Sequence, residues 1–465
     1  MMHPSDGRAP VGDVVAAEPG HADHHLRTDL KLRRALGLPG LTLFGLVYLV
    51  PLTVFTTYGL VTEITGGRVA LAYIVTLSAM IVTAFSYARM VRAYPVSGSA
   101  YTYTQKSFGG HVGFLAGWSL MLDYLLLPMV NYLLIGVYLN AFFPAVPGWV
   151  FVLAAIALVT VLNLIGITTI ERANMVLIAV QIIFVVVFVA LAVRVIAGGG
   201  GAIATPFTGD GSVPGFGPVL AGAAVLCLSF LGFDAVSTMV EEAREPLIDV
   251  PRAIVLVTTL GGLMFIVLAW AAQAAHPPTS FENVDAGALD VMTAVAGQWL
   301  VTFFTAAYVA GCIGSALTSQ ASVSRIMYVM GRDGVLPRQL SALAPRWRTP
   351  VVAILVVSVI SLVGLWVDLL LLFSIVSFGA LVAFSAVNLS VIKHYAIDQG
   401  RRSGLDLWRY LVMPLIGVAL TLWLWTSLTS SAFMVGLGWL AVGVVWLAVV
   451  TRGFRRPPPE MDLAE

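Results

Sequence analysis

The sequence predicts an all-α membrane protein with twelve transmembrane helices, the first and sixth of them broken. Composition, the spacing of apolar windows and two interruptions within those windows carry this prediction. Hydrophobic residues make up 59% of the 465 and charged residues only 11%, with a mean hydropathy of +0.93, which is the composition of a polytopic membrane protein. The net charge of +1 does not point to nucleic acid, because the charges are sorted by side of the membrane and not gathered in a patch.

The amino-terminal segment 1–35 contains Pro, Gly, Asp and the histidines His3, His21, His24 and His25, with no apolar stretch. It reads as a disordered cytoplasmic tail and not as a signal peptide. A solvated tail is favoured over metal binding by His21, His24 and His25, because no fold fixes them. Apolar windows of about 20 residues, the length that spans a bilayer, then fall near 38–62, 69–91, 112–142, 147–166, 173–196, 217–241, 252–275, 293–323, 350–367, 369–392, 410–428 and 433–451. With the amino terminus inside, all of the 25 Lys and Arg residues except Arg68 and Arg194 fall on the cytoplasmic side. Both termini are therefore expected in the cytoplasm of a multi-pass plasma-membrane protein. Cys227 and Cys312 lie inside apolar runs, where a thiol behaves as a small hydrophobe, so no disulfide framework is implied.

The domain reading follows from the count. Residues 36–455 form one membrane domain. If spans one to five (36–197) make one unit and six to ten (217–392) another, each has an odd number of helices and the second is inverted relative to the first. Spans eleven and twelve (409–452) are then peripheral, and 456–465 is a second cytoplasmic tail.

The interruptions carry the chemistry. The apolar stretch 218–240 has Gly232-Phe233-Asp234 at its middle, and the first span is interrupted at Val50-Pro51-Leu52-Thr53. Unsatisfied backbone and a buried carboxylate each cost several kcal/mol in hydrocarbon, so both breaks require protein or water around them. Two interrupted spans at corresponding places point to a secondary transporter with a binding site near mid-membrane. Loosened backbone at 50–53 and 229–234 can accept from a substrate ammonium, while half-helix amino ends offer donors to a carboxylate. Asp123 and Asp234 are the acids placed deep in spans, with no Lys or Arg at similar depth. Such groups are protonated, hydrogen-bonded or paired with a mobile cation.

Each further candidate has two readings. Tyr124, Phe230 and Phe233 either form an aromatic wall for an alkylammonium, at about 0.5–2 kcal/mol per contact, or pack the core. Glu241 and Glu242, with Arg244, Arg252 and Arg325 as partners, form either an inner gate or a static surface network. Ser315, Ser319, Ser322 and Gln320 either line the cavity or tie helices together. No HExxH pair or paired intramembrane Asp motif is present, which argues against an intramembrane enzyme. An asymmetric chain without a ring of like side chains argues against a passive channel. Neither a metal nor a cofactor is expected; the expected partners are a small-molecule substrate and membrane lipids.

The stretch Ser229-Phe-Leu-Gly-Phe-Asp-Ala-Val-Ser-Thr-Met-Val-Glu-Glu-Ala-Arg-Glu-Pro, followed by Val250-Pro-Arg-Ala-Ile, resembles the sixth-helix signature of the amino acid–polyamine–organocation (APC) superfamily of transporters. Tyr48-Leu-Val-Pro-Leu-Thr-Val-Phe, Tyr94-Pro-Val-Ser-Gly-Ser-Ala-Tyr-Thr-Tyr, Gly117-Trp-Ser-Leu-Met-Leu-Asp-Tyr and Arg325-Ile-Met-Tyr-Val-Met-Gly-Arg-Asp-Gly-Val-Leu-Pro resemble, more narrowly, the bacterial putrescine importers. The likeness runs from Leu36 to Arg455. It implies a five-plus-five inverted-repeat fold and import driven by an ion gradient, with H⁺ expected and Na⁺ left open. The general amino acid permeases of the superfamily are the alternative. Their first break is usually glycine-rich, whereas Pro51 here removes a backbone donor for a substrate carboxylate. Two other positions depart from the resemblance. Thr56 stands where putrescine importers usually have an acid, and Gln181 stands where some proton-coupled relatives have a lysine.

Overall fold

The computed structural model describes residues 36–96, 99–165, 170–240, 243–332, 336–344, 349–456 and 458. The histidine-bearing tail and the gate candidates Glu241 and Glu242 lie outside the described residues. Among these the chain is helical, apart from one bridge between Leu36 and Ala243. Eleven segments are long and apolar enough to cross a membrane, and Val351–Trp366 is a shorter apolar helix in the place of the ninth expected span.

In order, the helices are α1 (Leu38–Tyr48), α2 (Tyr58–Thr65), α3 (Val69–Ala93), α4 (Ser99–Phe108), α5 (Gly110–Phe142), α6 (Gly148–Ile165), α7 (Ile170–Val195), α8 (Thr205–Thr208) and α9 (Gly217–Leu226). They continue as α10 (Pro246–Ala275), α11 (Ala288–Ala296), α12 (Gln298–Arg332), α13 (Val351–Leu362), α14 (Leu369–Val391), α15 (Leu405–Leu407), α16 (Met413–Thr426) and α17 (Ser430–Val450). The face at which α1 begins is the near face, and that at which α2 ends is the far face. Prolines start several helices, as at Pro39, Pro218 and Pro246, where the missing N–H is one that no helical carbonyl could have used. Asp368 and Thr429 cap α14 and α17, their side chains accepting from Leu371 and Ala432 N–H groups. α10 begins at Pro246, ahead of the apolar window at 252, and carries Asp249 and Arg252 in its first two turns. α12 likewise runs on to Arg332 as a 35-residue helix.

Over an 18-residue stretch of the sixth span, α9 with the 3-10 turns that follow it, 94% of the residues are buried, against 17% in α17. The centre of the bundle is thus the interrupted helix, with α2, α3, α10 and α14 packed against it. α6, α7, α16 and α17 turn large apolar side chains such as Val186 and Val445 outward, as a lipid-facing layer does. Without a hydrophobic force between helices in lipid, polar ties hold the layers. Gln320 of α12 accepts from Tyr132 of α5 (2.8 Å) and Asn163 of α6 (3.3 Å), and donates to Ser358 of α13 (2.7 Å). Trp118 of α5 and Trp439 of α17 stack at 4.9 Å, each indole N–H donating to the other's backbone carbonyl at 2.9 Å.

On the far face Arg68 clamps the loop before the sixth span. Its Nε donates to Thr65 O (2.7 Å), Nη1 to Gly215 O (2.6 Å) and Nη2 to Val213 O (2.8 Å). Asp210 continues the hub, accepting from Ser212 and from the Thr279 hydroxyl at 2.6 Å. These donors hold its carboxyl below the usual range.

Arg68→Gln removes most of this clamp, and a charged donor to a carbonyl contributes about 1–3 kcal/mol. The variant is expected to unfold at lower temperature than wild type in detergent by an amount of that order. Equal melting temperatures would show that the clamp does not stabilise the fold.

Candidate functional site

The helical run of α1 stops because Val50 adopts φ 51°, ψ 103°, a left-handed conformation that is rare for a β-branched residue and carries strain of about 1–3 kcal/mol. Pro51 then opens a 3-10 turn, Pro51–Phe55. The carbonyls freed by the break already have partners: the Thr53 hydroxyl donates to Leu49 O (2.9 Å), Thr53 N–H to Val50 O (2.9 Å) and the Tyr138 hydroxyl to Phe55 O (2.8 Å). The sixth span is interrupted in a similar way. α9 passes into the 3-10 turn Cys227–Phe230, Gly232 takes φ +120°, and a second 3-10 turn runs Asp234–Met239.

Between the two interruptions lies a cavity of about 50 Å³. Its polar lining consists of Tyr48, Thr53, Thr56, Asn131, Tyr308 and Ser315, with Cys312 and leucines between them. Among the described residues no charged side chain lines it. Thr56 and Tyr308 share a hydrogen bond of 2.7 Å. Asn131 commits its amide hydrogens to Leu127 O (2.9 Å) and the Ser315 hydroxyl (3.1 Å), so what it can offer a ligand is the Oδ1 acceptor. The volume suits a few waters at roughly 10–15 Å³ each and is far below the ~300–1,000 Å³ of small-molecule pockets. As it stands the cavity is too small for a ligand of that kind.

On its far side the cavity is closed by rings. Tyr138 and Tyr308 lie 4.4 Å apart, with Phe304 5.3 Å from Tyr308 and 5.3 Å from Phe55. Phe55, Tyr138 and Phe304 are fully buried. On the near side Tyr48 stands between the cavity and the two acids. Its ring lies against the Gly232 backbone, where a Cβ would approach Cδ1 to 2.3 Å, and it is within electrostatic range of both Asp123 and Asp234.

Asp123, Leu127, Asn131 and Leu134 follow one another at helical spacing along one stripe of α5, so Asp123 sits about 6 Å along the axis from the Leu127 that lines the cavity. Both acids are buried, Asp123 at 6% and Asp234 at 5% exposure. The charged group acting on Asp123 is Asp234, and among the described residues no basic side chain acts on either. Asp234 Oδ1 accepts the Gly232 N–H at 3.2 Å. Asp123 Oδ1 is buried without a hydrogen-bond partner.

Of the residues singled out from sequence, Val50, Thr53 and Thr56 line the cavity, and Asp123, Asp234 and Tyr124 cluster beyond Tyr48. Pro51 is buried behind the first break. Phe230 packs on Tyr73 and Phe265, and Phe233 on Tyr87 and Phe384. Ser319 donates to the carbonyl of Ser315 on its own helix (2.7 Å), and Gln320 is the four-helix tie described above. Arg252 and Arg325 are exposed. Gln181 faces Gly311 of α12. Tyr48, Asn131, Tyr308 and Cys312 were not singled out as ligand-facing. Asn131 could have been found from its position two turns beyond Asp123, and Tyr308 from its spacing of seven from Ser315.

Comparison with known proteins agrees with this architecture. The amino acid permease family profile matches residues 40–454. The chain is 39% identical over 444 residues to the low-affinity putrescine importer PlaP of Escherichia coli (strain K12), covering 93% of this chain and 97% of that protein. It is 29% identical to the branched-chain amino acid permease BcaP of Bacillus subtilis (strain 168), covering 82% and 83% of the two chains. It is also 25% identical to the methylthioribose transporter of Bacillus subtilis (strain 168), covering 90% and 92%.

Gly232→Ala forces a side chain onto a residue at φ +120° and against the Tyr48 ring. The variant is expected to lose about 1–3 kcal/mol of stability or more, read as a lower melting temperature in detergent. A variant that melts with wild type would show that the ring and this backbone do not meet.

Proposed function

The chain belongs to the amino acid permease family, and from that membership we propose that it imports small organic cations by ion-coupled alternating access, with putrescine-like amines preferred. The family's members are transporters and not enzymes, and the apolar helices make the chain a multi-pass cell-membrane protein. The observation that carries the substrate class is the pair of buried carboxyls, Asp123 and Asp234, without a basic partner beside a neutral cavity. An uncompensated buried carboxylate costs several kcal/mol, so the cluster selects a proton or an ammonium. One ammonium of a diamine reaches the acids past Tyr48 while the other end meets Asn131 Oδ1 and the Thr56–Tyr308 hydroxyls. Burial favours the protonated acid and a bound ammonium favours the carboxylate. Import coupled to H⁺ follows from that competition, with Na⁺ as the alternative ion.

The PlaP relative is named a putrescine importer, which supports the amine reading. BcaP is named for branched-chain amino acids, and the leucines of the cavity lining suit an apolar side chain. Two facts weigh against carboxylate capture: Pro51 supplies no N–H, and Asn131 spends both amide hydrogens on Leu127 O and Ser315. The repeats are assigned to 36–197 and 217–392, with 409–452 peripheral. The near face, rich in arginine, is assigned to the cytoplasm together with both termini.

In proteoliposomes, excess unlabelled putrescine, agmatine or lysine should suppress labelled putrescine uptake more than alanine, leucine or glutamate does. Asp123→Asn and Asp234→Asn should each lower accumulation at least about 10-fold, the scale of one lost charge-assisted hydrogen bond. Neutral amino acids competing best, with both variants active, would transfer the site to the amino acid permease reading.

Orientation has its own check. With Cys227 and Cys312 replaced, single cysteines at Ser5, Ser212 and Ser403 should react with an impermeant thiol reagent from outside only at 212. External labelling at 5 or 403 would invert the assignment.

A further inference from the structure

At the near-face end of α3 the Arg89 guanidinium is half-buried against the start of α16. Its Nη2 lies 3.1 Å from the Met413 thioether, a weak acceptor, and its Cζ stands 5.9 Å from the centre of the Tyr410 ring. Nη1 is buried without a hydrogen-bond partner. The charged neighbours acting on it are Arg409 and Arg92, and no carboxylate is among them. The nearby acids are already committed: Asp406 to Arg401 at 2.9 Å and Asp398 to Lys393. Three guanidinium groups therefore converge with no counter-charge among the described residues, and the innermost carries an unused donor. Leaving such a donor buried costs more than any gain from the ring contact.

A planar fork of donors beside two further arginines matches the oxygens of a phosphate group. The surface beside it is apolar and aromatic: Leu405, Leu407 and Trp408 are exposed there at 60%, 39% and 52%, the composition of a helix end at the level of lipid headgroups. We propose that Arg89, Arg92 and Arg409 form a binding site for a phosphate-bearing anion, occupied in the membrane by the phosphodiester of an anionic phospholipid whose chains lie along Trp408 and the leucines. Basic pockets between transmembrane helices take headgroups in this way. Such a lipid joins the end of α3 to the start of α16 through charge, where the chain sets a thioether and a ring against Arg89.

The test follows thermal unfolding of the full chain in detergent during titration with phosphatidylglycerol, phosphatidylcholine or inorganic phosphate. Phosphatidylglycerol should raise the melting temperature of wild type saturably. Arg89→Gln and Arg409→Gln should each shift half-saturation about 10-fold higher, while Arg338→Gln, an exposed arginine elsewhere on the chain, should respond as wild type does. If Arg89→Gln does not fold, Arg409→Gln carries the test, because its side chain is exposed. An equal response to inorganic phosphate, lost in the same variants, would uphold the phosphate site and make its ligand soluble. Phosphatidylcholine acting as well as phosphatidylglycerol, or Arg409→Gln responding as wild type does, would overturn the proposal.

Discussion

Hydrocarbon offers no hydrogen bonds, and that absence decides where this chain can depart from a helix. The sixth span breaks into 3-10 turns around Gly232 and is tolerated because nearly all of its residues are buried within the bundle. The groups it frees are satisfied locally. Asp234 takes the Gly232 N–H, the Ser237 and Thr238 hydroxyls return to carbonyls of their own turn, and Tyr73 meets Ser229 at 3.0 Å. α2, α3, α10 and α14 pack against this segment, which cannot face lipid, and α6, α7, α16 and α17 take most of the outer surface.

Much of this was legible in the sequence because the signals are local. Pro51 and Gly232 mark the interruptions by their own backbone chemistry, and Asp123 and Asp234 stand out as ionisable groups in apolar runs. The span count followed from hydropathy, with the ninth shorter than its window because α13 ends in the 3-10 turn Val363–Trp366. α4 escaped notice because Ser99–Phe108 is too polar for a hydropathy window. Gln320 illustrates what local reading misses. Its four hydrogen bonds reach Tyr132, Asn163, Ser358 and Ile354, and which polar residue on a helix becomes a tie depends on faces that meet only in the assembled bundle. The cavity lining is a convergence of the same kind, drawing Thr56 and Tyr308 together across 252 positions.

The site divides its chemistry between two compartments. The cavity holds neutral hydroxyls and an amide, and the acids lie beyond the Tyr48 ring. A carboxyl in the cavity wall would sit among waters and behave as an ordinary carboxylate. Placed behind a ring and against the backbone of Gly232, it has a low-dielectric environment in which a single proton or ammonium changes the local energy by several kcal/mol. The small volume and the ring cluster on the far side belong to the same arrangement, since each limits the water that could screen the pair.

The parallel bridge between Leu36 and Ala243, with the Arg244 N–H donating to Leu36 O at 2.8 Å, laces the lead-in to α1 to the segment that leaves the sixth span. The two interrupted helices are thereby yoked at their near-face ends. Because the link is made through main-chain atoms, it does not depend on which side chains stand there. The chain can therefore vary at Leu36 and Ala243 and still keep the entry to α1 beside the segment that follows the sixth span, while the breaks at Val50 and Gly232 stay inside the bundle.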